Sequence, residues 1–513
     1  MDNADPINTP QSSGHNLTRR AGLTLLSNLL EQGASLIVGF LVTPLIIRGL
    51  GTELYGAWTM IQRTAGYLAL SDFRPMGTLK FTLAIRQHVE DTDEKQRQIG
   101  SALLVWLITL PILLIFGCFV IWATPSFIRT SSGYQYLVQI TMTIMILGVV
   151  LGRLLSLPGN VLRGMNLGYK AMGLNTVTIL VGGLGSIAAI RLGWSIVGVA
   201  VAGIFGMALT ESVRFWVARQ EIAWFRPSRP AKKDFLVFLA LSGWFFLSAL
   251  GALLLNSSDV IIVGVLLGPS AAAVYATTGM VLGFLMSIVT QMLTAGGPGI
   301  SEICGRRDFL RLEKVRIELH ILAFSLMTLV GVGIIIFNRS FLQLWVGKGY
   351  YAGNTVNILL VLIAFQSLLY KLDGVIVDCL LDFKSKAVSS LVGGGIIVVM
   401  GGWMTYQWGF WGVALAAWLT YMGLWLYFLS LIRKRTGIGF RKYIRDVFWP
   451  MTLFVILLCM VSILPLNLSP TNWLVFIGNV FSVALGVMIF LFLLMKKTHK
   501  ALVLRRLRTL LDR

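Results

Sequence analysis

Long apolar runs make up most of the chain, and they constrain its fold more than any other feature. Runs of about 20 residues with few charges recur between residues 22 and 495. A helix needs about 20 consecutive apolar residues to cross the hydrocarbon core of a bilayer. Only 13% of the 513 residues are charged, whereas soluble chains carry about 25%. The chain is therefore predicted to be an all-α integral membrane protein.

The apolar runs predict about fourteen transmembrane helices. Span 2 is the least sharply marked, because it holds several charges and Pro75. The predicted spans are 22–47, 55–83, 99–123, 136–160, 171–191, 194–217, 235–266, 270–297, 317–337, 355–381, 387–407, 409–432, 447–466 and 473–495.

The basic residues predict which side of the membrane each loop faces. The net charge is +21, and with the N-terminus inside, 33 Lys and Arg fall in inner segments and 5 in outer loops. Cytoplasmic loops carry such an excess. The charge therefore indicates an anionic leaflet rather than nucleic acid. We expect a multi-pass protein of the bacterial cytoplasmic (inner) membrane, with both termini cytoplasmic.

A weak internal duplication predicts two parallel six-helix lobes. Trp194 begins a WxxxGVAxA motif that recurs at Trp408, 214 residues later. Leu50-Gly51 after span 1 matches Leu267-Gly268 after span 7. Because the unit has six spans, the two copies would be related by an axis along the membrane normal.

The duplication also sets the predicted domains. They are a disordered cytoplasmic tail (1–18), an N-lobe with spans 1–6 (19–217), a cytoplasmic linker (218–234), a C-lobe with spans 7–12 (235–432), a cytoplasmic loop (433–446), spans 13 and 14 (447–495) and a basic cytoplasmic tail (496–513).

Charged residues inside predicted spans are the candidate functional residues. Each costs about 2.5–3.5 kcal/mol at a helix centre, so each is expected to face a cavity or a partner. The basic ones predict a cationic, substrate-binding cavity for a phosphorylated substrate: Arg63, Arg153, Lys371, Arg74 and Lys80. Arg74 and Lys80 could instead snorkel to the inner interface, Arg63 and Arg153 could snorkel or form ion pairs, and Lys371 could pair with Asp378.

Three acidic residues are candidates for ion coupling or ion pairing: Glu31, Asp259 and Asp373. Glu31 would either pair with an arginine or serve as a protonatable site. Asp259 ends a polar run near the outer end of span 7, where solvation by the interface is the alternative. The four cysteines and four histidines have no disulfide or zinc spacing, so neither a metal nor a cofactor is expected, and coupling to H⁺ or Na⁺ is left open.

Three segments resemble the polysaccharide-transporter (Wzx-type O-antigen flippase) family. The first-span signature of this family is similar to Leu41-Val-Thr-Pro-Leu-Ile-Ile-Arg-Gly-Leu-Gly-Thr-Glu-Leu-Tyr-Gly-Ala-Trp58. Its LxDxG motif is similar to Leu70-Ser-Asp-Phe73. Its seventh span is similar to Asp259-Val-Ile-Ile-Val-Gly264 with Leu267-Gly268 and Tyr275. One departure is Arg74, which stands where the family has glycine.

The resemblance implies a fold and an activity. The family belongs to the multidrug/oligosaccharidyl-lipid/polysaccharide flippase superfamily, whose two lobes form a V. It implies flipping of an undecaprenyl-diphosphate-linked glycan by alternating access for polysaccharide biosynthesis, driven by an ion gradient or the membrane potential. Partners would be that glycan, the lipid bilayer, and a polysaccharide polymerase and glycosyltransferases, without nucleic acid.

Three other functions stay open at the sequence level. They are an ion-coupled drug or small-solute antiporter of the same superfamily, a membrane glycosyltransferase or ligase, and a structural scaffold. An exporter of organic cations would favour carboxylates in its cavity. An enzyme would need acidic or histidine catalysts on sizeable outer loops.

Overall fold

The structure is a computed structural model that describes residues 12–69, 73–85, 91–165, 167–171, 173–294, 300, 303–380, 382–437 and 472–494. Every element bounded within those ranges is helical. The α-helices are α1 (Ser12–Leu68), α2 (Pro75–Ile85), α3 (Thr92–Phe127), α4 (Gln135–Leu155), α5 (Leu157–Gly164), α6 (Leu174–Arg191), α7 (Ser195–Glu221), α8 (Lys232–Leu267), α9 (Pro269–Thr294), α10 (Phe309–Trp345), α11 (Asn354–Cys379), α12 (Phe383–Trp408), α13 (Phe410–Thr436) and α14 (Trp473–Leu494).

Within the described ranges, twelve helical stretches are long and apolar enough to cross a membrane. One of them, Leu30–Leu68, holds most of predicted span 1 (22–47) and part of predicted span 2 (55–83). The others correspond to predicted spans 3–12 and 14, whereas predicted span 13 (447–466) lies outside the described residues. The prediction of an all-α multi-pass membrane protein is confirmed.

The two predicted tails lie largely outside the described residues. Residues 1–11 and 495–513 are not described, and neither are residues 438–446 of the predicted cytoplasmic loop. Helix α1 already begins at Ser12, so the predicted disorder of 1–18 does not extend over its last seven residues.

Spans 1 and 2 are joined by a kink in α1 and not by a loop. The kink is at Gly51, where φ is 75° and ψ is 176°. Glycine adopts a positive φ without the steric penalty that a Cβ would bring. The pattern recurs at Gly268 between α8 and α9, where φ is 97°, in agreement with the predicted duplication of this station.

Predicted span 2 is not a single helix. Helix α1 ends at Leu68 and α2 begins at Pro75, so the prediction of a continuous span over 55–83 is wrong here. Proline has no N–H and disfavours helical geometry at the preceding residue. The two residues before Pro75 lie in the left-handed region, with a φ of 52° at Arg74 and 58° at Phe73. The span therefore consists of two helical segments with a break between them.

The chain divides into two compact units, Met1–Leu250 (unit 1) and Gly251–Arg513 (unit 2). The division falls within α8, whereas the sequence placed the boundary between the lobes in the linker 218–234.

Aromatic packing explains why the start of α8 belongs to unit 1. Phe246 stacks on Phe73 with ring centroids 4.8 Å apart, and Phe245 stacks on Phe81 at 5.0 Å. The Ser242 hydroxyl contacts the Thr78 hydroxyl at 3.1 Å. The first half of α8 therefore packs on α2 and on the residues that precede it.

Each unit has its own apolar core. In unit 1 the core collects α2, α3, α5, α7 and α8 around Met76, Leu79, Leu83, Val161 and Phe238. In unit 2 two clusters run along α10, α11 and α13; among their large buried side chains are Phe324, Phe365, Trp425 and Phe428.

The duplicated WxxxGVAxA motif forms a close helix contact in each unit. Gly198 of α7 lies against Ala189 of α6, and Gly412 of α13 lies against the backbone at Met404 of α12. A Cβ at either glycine would clash with that neighbour. Small residues let helices approach closely in membranes, so the repeated glycine has the same packing role in both copies.

Two of the cysteines lie close together in the fold. The Cys304 thiol is within hydrogen-bonding reach of Cys379, and neither forms a disulfide. Burial and the neighbouring Cys379 raise the pKa of Cys304 to about 11.

Candidate functional site

The cations of unit 1 gather near the break in predicted span 2. Arg63 is half-buried on α1, and Arg74 is exposed within the break itself. Lys80 is half-buried on α2, with its ammonium group 5.4 Å from the centroid of the Phe81 ring.

Arg153 has a contact that the sequence did not predict. It lies in the last turn of α4 and donates a hydrogen bond to the backbone carbonyl of Ala69, just after α1 ends. The last carbonyls of a helix have no partner within the helix, and a cation there also complements the helix dipole. This contact gives Arg153 a structural role, because it links the end of α4 to the end of α1 beside the break.

Glu31 belongs to a polar network that links α1, α6 and α7. Asn175 donates a hydrogen bond to Glu31 at 2.8 Å. Arg214 donates one hydrogen bond to the side-chain amide oxygen of Asn175 and another to the carboxylate of Glu211. Glu31 therefore reaches an arginine through Asn175, and that arginine is Arg214 and not a candidate cavity cation.

Lys371 is exposed although it lies on a deeply buried helix. In the apolar stretch of α11, 78% of the residues are buried, which is the largest share among the twelve candidate spans of the described residues. The alternative pairing with Asp378 is not seen, because Asp378 pairs with Lys386 at 2.5 Å. Among the described side chains, none forms a hydrogen bond or an ion pair with Lys371. The lysine side chain is therefore accessible within the membrane-spanning part of unit 2, although protein atoms around its ammonium group partly desolvate it.

Asp373 lies two residues further along α11 and is fully buried. Arg316 of α10 donates two hydrogen bonds to its carboxylate, each 2.7 Å long. The His320 Nε2 atom lies 3.6 Å from the same carboxylate. The geometry is a bidentate ion pair between neighbouring helices. It matches one of the two roles predicted for Asp373, and the coupling role stays a prediction.

Asp259 is half-buried in a polar cluster of unit 2. Its carboxylate accepts a hydrogen bond from the Val260 N–H at 2.8 Å. The Tyr421 hydroxyl donates to the Asn256 side chain at 3.2 Å. Asp259 thus shares its surroundings with amide and phenol groups.

Sequence reasoning missed Arg214, Glu211, Arg316 and His320. The signal for the first two was their spacing, since residues three apart lie on one face of a helix. Arg316 was assigned to the loop before span 9, but α10 begins at Phe309. The signal for Arg316 was Asp373 itself, because a buried carboxylate requires a partner.

Three described acids of the spans are engaged by side chains of the protein, whereas two of the candidate cations are exposed. Glu31, Glu211 and Asp373 each have a hydrogen-bond partner within their own unit. Lys371 and Arg74 are exposed. No group of three or more potential metal ligands occurs in the described part of the chain. An exposed cation in a membrane span can bind an anion, whereas a carboxylate that the protein already engages is less available to an organic cation.

The sequence profile of one family, described as polysaccharide biosynthesis protein, matches residues 21–304. The chain belongs to this family. The match covers more than half of the chain, including the kink of α1, the break in span 2 and all of unit 1 from residue 21. Among curated proteins, no sequence matches this chain significantly.

Solved structures show the fold of this family member. A lipid II flippase, MurJ, in an inward closed conformation has a TM-score of 0.66 at 12% identity, covering 92% of this chain and 99% of its own. An inward-facing multidrug resistance MATE family transporter of the MOP superfamily has a TM-score of 0.62 at 16% identity, covering 83% and 95%. A MOP superfamily transporter from Pyrococcus furiosus, described by the reverse polarity of its binding pocket, has a TM-score of 0.56 at 14% identity, covering 85% and 96%. The fold is that of MOP superfamily transporters.

Proposed function

We propose that the protein is a flippase that moves an undecaprenyl-diphosphate-linked oligosaccharide from the cytoplasmic to the outer leaflet, by alternating access, for the synthesis of O-antigen, capsule or exopolysaccharide. The membrane would be the bacterial inner membrane, with both termini cytoplasmic. Membership of the polysaccharide biosynthesis protein family supports the glycan class of the substrate.

The observation that carries the proposal is the exposure of Lys371 on a deeply buried membrane helix. An uncompensated cation at such a position is costly unless water or an anion reaches it. A lipid diphosphate carries suitable charge and remains anchored in the bilayer by its lipid chain.

Arg63 is the second cation that we assign to diphosphate recognition. Its guanidinium group offers paired donors that match phosphate oxygens. It lies on α1 between the kink at Gly51 and the break after Leu68. Arg153 stays a predicted member of the cationic cavity, and its hydrogen bond to Ala69 also gives it a structural contact beside that break.

The antiporter alternative predicts a different distribution of charge. An exporter of organic cations needs carboxylates that a substrate can reach, whereas Glu31, Glu211 and Asp373 are engaged by side chains of the protein. Coupling to H⁺ or Na⁺ is part of the proposal, and Glu31 and Asp259 are its candidate residues.

Complementation of a flippase-null strain tests the function. Arg63→Ala and Lys371→Ala are each expected to abolish flipping, while Arg63→Lys keeps the charge, loses the paired donors and should weaken it. The readout is exposure of the lipid-linked glycan at the outer leaflet, with membrane levels of each variant checked by blot.

Lys384→Ala is the matched control, because Lys384 is an exposed lysine at the start of α12 in the same unit. It should flip normally. Normal flipping by both Arg63→Ala and Lys371→Ala at normal abundance would contradict the assignment of the diphosphate to these cations. Accumulation of an organic cation in the null strain, relieved by the wild type, would favour the antiporter.

A further inference from the structure

A pocket of about 440 Å³ lies in unit 1 between α3, the junction of α4 and α5, α7 and the segment after α7. Its size is within the range of small-molecule and lipid-chain pockets. Its walls are mainly apolar and include Leu103, Leu154 and Leu155. None of the residues considered above for diphosphate recognition lines it.

The pocket opens at the surface of unit 1. Leu154 is 40% exposed and Phe215 is 45% exposed, and both lie on helices long and apolar enough to cross the membrane. Acyl chains are as apolar as leucine and can cover such side chains in a bilayer. A ligand can therefore enter sideways from the membrane.

Two arginines stand at the mouth of the pocket. Arg219 is in the last turn of α7, and Arg226 is in the segment that follows. The Arg219 guanidinium carbon lies 5.2 Å from the centroid of the Phe215 ring, which holds it beside the apolar wall. Both side chains are exposed, and within the described ranges neither forms an ion pair with a carboxylate.

The remaining charges of the pocket cancel. Glu211 is also part of its lining, but this buried carboxylate is engaged by Arg214, which is buried with it. The net charge offered to a ligand is therefore that of the two arginines. The positive-inside pattern of the sequence places this end of α7 at the cytoplasmic headgroup level.

We propose that this pocket binds an anionic phospholipid of the cytoplasmic leaflet. The lipid phosphate lies between Arg219 and Arg226, whose forked donors suit its oxygens, and an acyl chain occupies the pocket beside Leu154 and Leu155. Charge complementarity selects an anionic headgroup over a zwitterionic one, because no carboxylate at the mouth is available for an ammonium group. The inference does not depend on the proposed transport function.

Native mass spectrometry of the full-length protein tests this site. The protein is released from mild detergent with added phosphatidylglycerol, or with phosphatidylcholine of the same acyl chains. We expect retention of one phosphatidylglycerol in preference to phosphatidylcholine. Arg219→Gln combined with Arg226→Gln should weaken that retention roughly 30-fold, at about tenfold per 1.4 kcal/mol and about 1 kcal/mol per interfacial arginine.

A control variant combines Arg433→Gln with Lys434→Gln, which removes two exposed cations from the last turn of α13. It should retain the lipid as the wild type does. Leu155→Trp keeps both arginines but fills the apolar part, and it should also lose the bound lipid. Equal losses in the control and the Arg219/Arg226 variant would overturn the site in favour of unspecific charge attraction.

Two further outcomes would also overturn the proposal. Equal retention of phosphatidylcholine would show that the arginines do not select the headgroup. Displacement of phosphatidylglycerol by an equimolar undecaprenyl diphosphate would assign the pocket to the lipid of the transport substrate. Retention of phosphatidylglycerol in that competition supports the proposed phospholipid site.

Discussion

At the scale of single residues, Asp373 and Asp378 form a natural comparison on one helix. Asp373 is fully buried and held by two hydrogen bonds from Arg316. Asp378, five positions later, pairs with Lys386, and both side chains remain partly exposed. The same kind of ion pair thus occurs once in a buried environment and once in a partly exposed one.

Asp373→Ala should therefore destabilise the protein far more than Asp378→Ala. Loss of one partner of a buried pair costs about 3–5 kcal/mol, because the other charge is left uncompensated. An exposed pair contributes about 0–1 kcal/mol. Thermal unfolding of the purified variants in detergent measures the difference.

A double variant separates loss of the pair from burial of an orphan charge. Arg316→Met combined with Asp373→Leu should recover much of the stability lost by Asp373→Ala, since apolar replacements of similar volume are often tolerated. Equal unfolding temperatures for Asp373→Ala and Asp378→Ala would show that the buried pair is not a stabilising link between α10 and α11.

The sequence predicted part of this residue-level picture, and its limits have physical causes. A carboxylate within an apolar run must have a partner, so ion pairing is one of the two roles that the sequence predicts for Asp373. The partner was not foreseen, because α10 extends beyond its apolar run to Phe309 and carries Arg316 with it. Glu31 illustrates the same limit: its contact with Asn175 is 144 residues away in sequence, and no local pattern encodes such a distance.

At the scale of helices, glycines decide how closely two elements approach. Gly412 and Gly423 both lie in α13. A Cβ at Gly412 would meet the Met404 carbonyl, while a Cβ at Gly423 would meet nothing within 4 Å. Gly412 lies in the first turn of the helix and Gly423 in its interior, and only Gly412 has a close neighbour.

Gly412→Ala should thus be destabilising and Gly423→Ala should not. Overpacking costs about 1–3 kcal/mol, whereas alanine in an open helix position is about 1 kcal/mol more favourable than glycine. Opposite shifts in unfolding temperature are expected in detergent. If both variants shift in the same direction, the close contact between α12 and α13 is absent in solution.

The helices themselves were largely predictable, and the break in span 2 shows where prediction fails. Apolar length fixes a membrane helix because an unsatisfied backbone is costly in lipid. Pro75 indicated a weak point within span 2. The backbone at Phe73 and Arg74, with positive φ at both, could not be predicted, because Arg153 stabilises the helix end from another helix.

At the scale of the whole molecule, the basic residues predict the direction of each span. The predicted inner segments hold 33 Lys and Arg against 5 in the predicted outer loops, and such an asymmetry orients membrane proteins. We therefore expect the loop after α3 to be outside and the segment after α7 to be inside. The proposed transport of a glycan from the cytoplasmic leaflet assumes this orientation.

Cysteine labelling in intact cells checks this orientation. In a chain whose four cysteines are replaced, Gly133→Cys and Gln220→Cys place single thiols at exposed positions after α3 and at the end of α7. A membrane-impermeant maleimide should label the first thiol and not the second, and permeabilisation should expose the second. Labelling of Gln220→Cys in intact cells would reverse the topology. The proposed phospholipid would then bind in the outer leaflet, and the direction of glycan transport could no longer be inferred from the positive charge.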